Sequence, residues 1–391
     1  MANDLLDFTI DETAQGIIDL AHEVCRNEVI PQREHLDEHE EFPHKIFEKF
    51  SEAGLFGVMF GDEYGGLGVG GFVSGLLAET VSQYCLGVFT AMFASKLGAL
   101  PIEFGATEEQ KKKYLPGLAA GTQIAAFGLT EPGAGSDVPA LSTYAEKKGD
   151  KYILNGTKQW ISNAGVADVY TIFAMTDRKR GARGISCFIV EKDTPGLSFG
   201  KLENKLGIRC SHTRQVIMEN MEVPAENLVG GRENQGFIHA IKTLNASRPI
   251  IAASGVGLVI GAYKEAAKYA RQREQFGKKI INFQAVNHML ADMLVKIEAA
   301  RGLSYKAAKY ADALHPESAK FSAIAKYYSS EIAMQVATDA LQVHGGYGFT
   351  KEYPVEKMFR DAKILAIYEG TSQIQKNEIS SYIIKESAEY K

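Results

Sequence analysis

Hydrophobic positions follow three successive patterns along the chain. From residue 10 to about 120 they recur three and four residues apart, as at Ile17 and Ala21, and this spacing predicts helices. Between about 122 and 232 the period falls to two, which predicts β-strands. From residue 236 onward helical spacing returns over long stretches. Because helices and strands are segregated rather than alternating, the sequence predicts an α+β multi-domain protein and not a doubly wound nucleotide-binding fold.

Individual elements can be placed within these three regions. Strands are predicted at 169–175, 185–190 and 215–218, and Asn155-Gly156 lies among strand residues as a hairpin-turn signal. Two apolar stripes at helical spacing predict long C-terminal helices: Val286, Leu290, Met293, Ile297 and Ala300 form one, and Phe321, Ile324, Tyr328 and Ile332 form the other. We therefore predict three domains: 1–121 all-α, 122–232 β, and 233–391 α-helical.

Composition narrows the class of protein. The 391 residues are 45% hydrophobic and 23% charged, and 43 basic against 48 acidic residues give a net charge of −5. This balance argues against general binding to nucleic acid or to anionic membranes. The sequence contains no run of about 18 uncharged apolar residues and no basic leader. Its four cysteines form no CxxC pair, so we expect a reducing, cytoplasmic location without structural disulfides.

Two motifs are better explained by structure than by ligand binding. In the run from Gly255 to Gly261 the third glycine comes one position too late for a dinucleotide fingerprint, and the run lies in a helical stretch. Close helix packing is the favoured interpretation. His35-Leu-Asp-Glu38-His39 matches a zinc-binding pattern, but acidic neighbours indicate a solvated surface and no third ligand is evident. We therefore predict no metal site.

Five segments combine glycines, hydroxyls and charges in ways that suit a ligand: 129–137, 159–163, 271–278, 342–348 and 367–375. Each also has an ordinary structural explanation. These are, in order, a glycine-rich turn, a core tryptophan, a basic helix end near Gly277, a helix stopped by glycines, and a solvated loop glutamate. Glu369 lies between an aromatic residue and a glycine in apolar surroundings, where a carboxyl with a raised pKa could act as a base.

Together and in this order, the five segments closely resemble the acyl-CoA dehydrogenase family from about residue 10 to residue 380. The stretch 348–363 is similar to the medium-chain branch, so the resemblance points to the medium- and short-chain enzymes of the family. The resemblance implies an N-terminal helical domain, a middle β-barrel-like domain and a C-terminal four-helix bundle. It also implies bound FAD, an acyl-CoA substrate and a homotetramer.

The resemblance assigns roles to particular residues. Those expected at the flavin and ribityl portions of FAD are Phe127, Leu129, Thr130, Gly135, Ser136, Trp160, Ile161, Ser162, Thr371 and Gln373. Those expected at the pyrophosphate and adenosine are Arg273, Phe276 and Gln284, with Gln342, His344, Gly345 and Gly346 contributed by the partner subunit. Those expected at the substrate are Ser136, Leu244, Asn245, Arg248, Tyr368 and Gly370.

Family chemistry then makes Glu369 the base that removes the substrate α-proton while a β-hydride passes to the flavin. An electron-transferring flavoprotein would reoxidise the cofactor. Some branches place the base immediately before the arginine at 248, but here Ser247 occupies that position and cannot serve. The segment 83–97, expected to line the acyl pocket, carries Lys96 as its only charge, which favours an uncharged short- to medium-chain, branched or alicyclic acyl group.

Three other functions share this scaffold. An acyl-CoA oxidase would keep the base and pass electrons to oxygen, although such chains are usually longer. A non-catalytic flavin-binding relative that associates with DNA would need a basic surface and no Glu369. A sulfur or nitrogen monooxygenase typically lacks the Tyr-Glu-Gly base, which is present here at 368–370.

Overall fold

The computed structural model describes residues 4–390, in which two helical regions flank a β region. The helices are α1 Glu12–Val24, α2 Arg33–His39, α3 His44–Glu52, α4 Gly70–Ser82, α5 Leu86–Gly105, α6 Glu108–Ala120, α7 Gly236–Gln272, α8 Gln284–Asp312, α9 Ser318–His344, α10 Val355–Ala362 and α11 Ser372–Ser387. The strands are β1 Ala125–Gly128, β2 Tyr144–Lys148, β3 Lys151–Ser162, β4 Val169–Met175, β5 Ile185–Glu191, β6 Leu197–Phe199, β7 Thr213–Pro224, β8 Glu274–Gln275 and β9 Lys278–Lys279.

Seven of the strands form one mixed sheet. Its order is β1-β4-β2-β3-β7-β6, and β5 pairs with β4 outside this path. β4 runs parallel to β1 and β2, whereas the long strands β3 and β7 pair antiparallel. The predicted strands near 169, 185 and 215 are confirmed as β4, β5 and β7. The curved sheet packs against the helices on both sides of it in sequence, because α5 contacts β1 and α7 contacts β5.

The predicted hairpin at Asn155-Gly156 is wrong. Both residues lie inside β3, and the register to β7 shifts there between Leu154 and Gly156, as in a β-bulge. Gly156 has φ 147°, and a Cβ at this position would lie 2.7 Å from the Thr143 Cα atom. The glycine therefore allows a close backbone approach. The actual turn lies at 149–150, between β2 and β3.

The predicted helix end near Gly277 also needs correction. Helix α7 ends at Gln272, and the chain then forms the two-stranded β8–β9 hairpin. Its two central residues, Phe276 and Gly277, have φ values of 49° and 77°, as a type I′ turn requires. The Phe276 side chain is 94% exposed at the tip of this hairpin.

Two helices are apolar around most of their circumference and lie in the protein core. Leu86–Gly105 and Gly236–Gln272 are long and apolar enough to span a membrane. However, 89% and 78% of their most hydrophobic 18-residue stretches are buried inside the protein. Helices that are hydrophobic on all sides must be covered in this way. The interpretation of the Gly255–Gly261 run as a packing feature is confirmed, because a Cβ at Gly257 would clash with the Glu79 carbonyl of α4 and one at Gly261 with the Gln83 carbonyl just after it.

The C-terminal region is a helical bundle in which α7, α8 and α9 pack on one another and α11 packs on α9. The stripe predicted on α8 is largely buried, but on α9 only Ile332 is fully buried, and Phe321 and Tyr328 lie at the margin. The buried face of α9 consists instead mainly of small residues, because α9 lies close along α7. Among these small residues is one lysine, Lys326.

Candidate active site

Glu369 lies in the short segment between the turn Lys363–Ala366 and α11. It has φ 55°, and the next residue, Gly370, has φ 88°. A glutamate in this left-handed region is strained by about 1–2 kcal/mol, so neighbouring contacts must hold it there. Its backbone N–H donates to no main-chain carbonyl among residues 4–390, which leaves it available to a ligand.

Two buried side chains fix this segment. The Lys326 Nζ donates to the carbonyl oxygens of Leu365 at 2.8 Å and Gly370 at 2.6 Å. The Gln375 Nε2 donates to the carbonyls of Glu369 at 3.3 Å and Gly370 at 3.0 Å. The backbone is therefore held on both sides of Glu369, and the strained conformation is determined by the helices around it.

Within residues 4–390 the Glu369 carboxylate has one direct side-chain donor, the Ser247 Oγ, which lies 2.7 Å from its Oε2. Burial raises the pKa of Glu369, and Ser247, Lys326 and Arg248 offset part of this rise by favouring the carboxylate. A carboxylate with raised proton affinity is suited to accept a proton from carbon. The sequence excluded Ser247 as a base and missed it as the base's partner. The sequence did contain a signal for this contact. Some branches of the family place the base at position 247, and a base there must face the same substrate carbon as Glu369.

Arg248 is buried on α7 near the same carboxylate. Its Nη1 donates to the Asn245 Oδ1 at 3.0 Å, and its Nε has no hydrogen-bond partner within the described chain. Burial lowers the pKa of this guanidinium, although Glu378 and Glu369 favour its charge. The structure thus brings Arg248 and Asn245 together at the base, with Asn245 orienting the arginine, and part of the guanidinium remains free for a ligand.

Tyr368 connects the base to the helix expected to line the acyl pocket. Its hydroxyl is buried without a hydrogen-bond partner among residues 4–390, as is that of Thr90 on α5. Burial raises the pKa of Tyr368, and Thr90 and Ser254 are its neighbouring hydroxyls. Leu244, three residues before Ser247, and Gly370, directly after Glu369, are both half-buried. The predicted substrate residues 244–248 and 368–370 therefore converge, whereas Ser136 lies on an exposed loop of the β region.

That loop, 129–137, is anchored by a buried ion pair that the sequence did not reveal. The Lys158 Nζ lies 2.7 Å from the Glu131 Oε1, and the two side chains are 0% and 2% exposed. Lys158 also donates to the Leu129 carbonyl at 3.1 Å. The Glu131 carboxylate further accepts from Ser142 N at 2.6 Å and Thr143 N at 3.0 Å. Burial alone would raise the pKa of Glu131, but Lys158 and these hydrogen bonds lower it to about 2.

The anchored loop presents an open surface next to the only tryptophan. A Cβ at Gly133 or Gly135 would have no atom within 4 Å, and Ser136 is exposed. Trp160 is 60% exposed with φ 60°, so its alternative interpretation as a core residue is wrong. The preceding residue, Gln159, donates its N–H to the Thr130 carbonyl at 2.8 Å. An exposed aromatic ring beside a glycine loop fits the flat ring system of a flavin.

Other predicted flavin residues differ in what they can offer. Leu129 and Ile161 bury their side chains in the core, so only their main-chain atoms can contact a ligand. Phe127 packs at 5.1 Å, centroid to centroid, against Phe173 and is half-buried. Ser162 and Thr371 are half-buried and Gln373 is exposed; the Thr371 hydroxyl also caps α11.

A cavity of about 510 Å³ lies at the far end of α7 and α9. It is lined by Tyr269, Arg273, Gln275, Ile280, Gln342, Val343, His344, Gly345, Gly346, Tyr347 and Thr350. Arg273 and the 342–346 segment of one chain therefore line the same cavity, whereas the resemblance assigned 342–346 to the partner subunit. The exposed guanidinium of Arg273, 5.5 Å from the Tyr347 ring centroid, and the open glycines suit a pyrophosphate and an adenine. Gln284 is exposed and outside the lining.

The His35–His39 motif shows no metal-site geometry. The two rings stack at 4.2 Å between centroids, and the His35 Nε2 lies 3.2 Å from Glu41. Across residues 4–390, no three His, Cys, Asp or Glu side chains are grouped so as to hold a metal ion.

Comparison with known proteins identifies the family. Three family models match the chain: acyl-CoA dehydrogenase N-terminal domain at 11–122, middle domain at 126–221 and C-terminal domain at 234–384. The short-chain specific acyl-CoA dehydrogenase of Clostridium acetobutylicum is 46% identical over 383 residues, covering 97% of this chain and 100% of the relative.

Two solved structures are also close. Butyryl-CoA dehydrogenase from Megasphaera elsdenii has a TM-score of 0.94 and 40% identity, covering 97% of this chain and 100% of that chain. A structure described as the electron transferring flavoprotein of Acidaminococcus fermentans, in work on flavin-based electron bifurcation, contains a chain with a TM-score of 0.94 and 45% identity, covering 96% and 99%. The chain belongs to the acyl-CoA dehydrogenase family and is an FAD-dependent oxidoreductase.

Proposed function

We propose that the protein converts an uncharged short- to medium-chain, branched or alicyclic acyl-CoA into its 2-enoyl-CoA, with Glu369 removing the α-proton. The observation that carries this proposal is the Glu369 site itself. Its carboxylate is held by Ser247 at 2.7 Å, its pKa is raised by burial, and its backbone is pinned by buried side chains.

The reaction needs two hydrogens to leave adjacent carbons. The Glu369 carboxylate takes the α-proton, and the electron pair of that C–H bond becomes the new double bond. FAD, when bound, supplies the acceptor for the hydrogen that leaves the β-carbon with its electron pair. The unpaired N–H of Glu369 and the partly free Arg248 are placed to stabilise negative charge on the thioester or on the CoA arm.

The acyl group is inferred from the helix before the site. Segment 83–97 has one charge, Lys96, and the structure pairs its ammonium with Glu103 and places it 4.2 Å from the Phe60 ring centroid. Lys96 is thus committed and does not offer a site for a second substrate carboxylate. A dicarboxylic acyl group would have to bury its charge unpaired, which is strongly unfavourable.

We expect butyryl-CoA, isobutyryl-CoA or cyclohexanecarbonyl-CoA to bleach the flavin band of the purified protein under anaerobic conditions. Glutaryl-CoA is expected to reduce the flavin at least about 10²-fold more slowly, because its second carboxylate lacks a partner. The measurement is a stopped-flow screen at matched concentrations of straight, branched, cyclic and dicarboxylic acyl-CoAs.

Crotonyl-CoA, which is already a 2-enoyl-CoA, is the matched control and should bind without bleaching. Fastest reduction by glutaryl-CoA would contradict the substrate class.

We propose an electron-transferring flavoprotein as electron acceptor, supported by the likeness to the Acidaminococcus fermentans structure. If air reoxidises the bleached protein as fast as acyl-CoA reduces it, an acyl-CoA oxidase is favoured instead.

The rate of flavin reduction is expected to rise with pH through the raised pKa of Glu369, since only the carboxylate accepts the proton. Ser247→Ala removes a hydrogen bond that favours the carboxylate. The part of the pH–rate profile in which the rate rises with pH, its rising limb, should therefore move to higher pH. The measurement is the rate of anaerobic reduction by butyryl-CoA against pH.

Ser304→Ala is the matched control. Ser304 is a buried serine on α8 whose hydroxyl contacts the Pro249 carbonyl rather than the base, so the limb should stay in place. An unchanged limb in Ser247→Ala, or a limb that moves to lower pH, would contradict the assignment of Glu369 as the titrating group.

We also propose that the cavity around Arg273 receives the adenosine and pyrophosphate end of an FAD whose flavin lies on the 129–137 loop of a neighbouring subunit, within a homotetramer. The support is that one chain carries Arg273 and 342–346 in a single open cavity, while its exposed Trp160 marks the flavin end on the β region.

A further inference from the structure

Lys326 differs from the other buried lysines of the described chain. Lys96, Lys158 and Lys357 each pair with a carboxylate, from Glu103, Glu131 and Asp361 respectively. Lys326 is 0% exposed, and among residues 4–390 its Nζ hydrogen-bonds to no carboxylate. Its Nζ instead donates to two backbone carbonyls of the segment that carries Glu369.

Neutral donors already serve the same two carbonyls. The Ser330 Oγ donates to the Leu365 carbonyl at 2.8 Å, and the Gln375 Nε2 donates to that of Gly370 at 3.0 Å. Satisfying these carbonyls therefore does not require a charge. Burying an ammonium is costly, and burial lowers the pKa of Lys326 to about 7, against the opposing attraction of Glu369. The positive charge needs a reason beyond packing, and the nearby carboxylate supplies one.

We propose that Lys326 is a positioning residue of the base. It joins the carbonyls of Leu365 and Gly370, on either side of Glu369, and so holds the glutamate backbone in its left-handed conformation. Its charge also favours the carboxylate form of Glu369 in the free enzyme. This inference rests on the proposed function, because it describes how the base of that reaction is held ready.

The polar and charged groups that act on Glu369, directly or through Arg248 and Lys326, come from three helices. On α7, Ser247 donates to the carboxylate and Arg248 lies nearby. On α9, Lys326 faces the base segment, and Glu331 lies close enough to favour the Lys326 charge while accepting from the Ser372 hydroxyl at 2.6 Å. On α11, Glu378 and Tyr382 act on Arg248. Lys326 and Arg248 are thus the two cations that stabilise the Glu369 carboxylate.

Lys326→Met removes the charge and both donors while keeping the length of the side chain. Flavin reduction by butyryl-CoA is expected to slow about tenfold to a hundredfold through misplacement of the base, with KM for butyryl-CoA nearly unchanged. The rising limb of the rate should also move to higher pH. Independently of turnover, amide hydrogen exchange in the peptide covering 364–374 should accelerate, because the segment opens more often.

Lys326→Arg and Lys326→Gln separate charge from geometry. Arginine keeps the charge but not the compact ammonium, so the rate should fall with the limb near its original pH. Glutamine keeps a donor without the charge, so the limb should move as in Lys326→Met, and this variant tests the charge if Lys326→Met does not fold. Lys320→Met is the matched control: this lysine lies on the same helix, and its partners Glu317 and Glu386 are partly exposed, so its loss should leave the limb and the exchange of 364–374 unchanged.

The inference would be overturned if the rising limb of the pH–rate profile stays in place in both Lys326→Met and Lys326→Gln and amide hydrogen exchange in 364–374 is unchanged. This holds even if acyl-CoA bleaches the wild-type protein normally. Failure of every uncharged acyl-CoA to bleach the wild type would instead overturn the proposed function. The exchange measurement would then still decide whether Lys326 holds the segment.

Discussion

Replacing Glu369 by glutamine is expected to slow flavin reduction by acyl-CoA about 10²- to 10⁴-fold while FAD and acyl-CoA remain bound. The amide has nearly the same shape as the carboxylate and can still accept from the Ser247 Oγ, which lies 2.7 Å from Oε2. It cannot accept the α-proton. The measurements are anaerobic stopped-flow reduction, the flavin spectrum of the purified variant, and the spectral change on binding crotonyl-CoA.

A matched control is Glu386→Gln, which removes a surface carboxylate paired with Lys320 and should leave the rate unchanged. The contact between residues 247 and 369 allows a sharper test. In the double variant Glu369→Gly, Ser247→Glu, the glycine tolerates the left-handed backbone and the new carboxylate starts from the neighbouring position. Part of the lost rate should return. Full turnover in Glu369→Gln would contradict the role of Glu369 as base.

The fold was predictable where local pattern and long-range pairing agree. The strand at 169–175 alternates little but is rich in β-formers, and it is buried on both faces as β4. At Asn155-Gly156 they disagree. A dipeptide that forms hairpin turns in isolation lies within β3, because pairing with β2 on one side and β7 on the other outweighs the turn preference. Such non-local competition is invisible in a short window of sequence.

The site was predictable only in its conspicuous members. Glu369 and Arg248 lie in segments with recognisable motifs, but the residues that support them do not. Ser247 and Lys326 come from two different helices and reach the Glu369 segment only in the folded bundle. One signal for Lys326 existed, since it follows Ser322 by four residues and precedes Ser329 by three, on a face of α9 made of small residues. A lysine within such a face indicates a buried partner.

Lys158→Met is expected to lower the free energy of unfolding by about 3–5 kcal/mol, because it leaves the Glu131 carboxylate buried without its cation. In the wild type the two side chains are 0% and 2% exposed and their charged atoms are 2.7 Å apart. The pair also anchors the 129–137 loop to β3 and to residues 142–143 just before β2, so the variant should lose flavin more readily. The measurements are urea unfolding and the flavin retained after dialysis.

Lys151→Met on the same strand is the matched control. Its ammonium lies 2.7 Å from Glu222 at the surface, and its loss should cost less than about 1 kcal/mol. Because Glu131 has a pKa lowered to about 2 from an ordinary value of 4.5, its stabilising contribution should be present above pH 4.5 and disappear as the pH falls toward 2. The Lys158→Met variant should lose this part of the acid sensitivity.

The double variant Glu131→Leu, Lys158→Met separates stability from cofactor binding. Replacing both charges by apolar side chains should recover much of the lost free energy, since buried ion pairs often exchange with hydrophobic pairs at little cost. Flavin retention should not recover, because the carboxylate that accepts from Ser142 N and Thr143 N is gone and the loop is no longer held. If stability and flavin retention recover together, the pair serves only the packing of the β region. If stability recovers alone, the ion pair exists to hold the flavin loop.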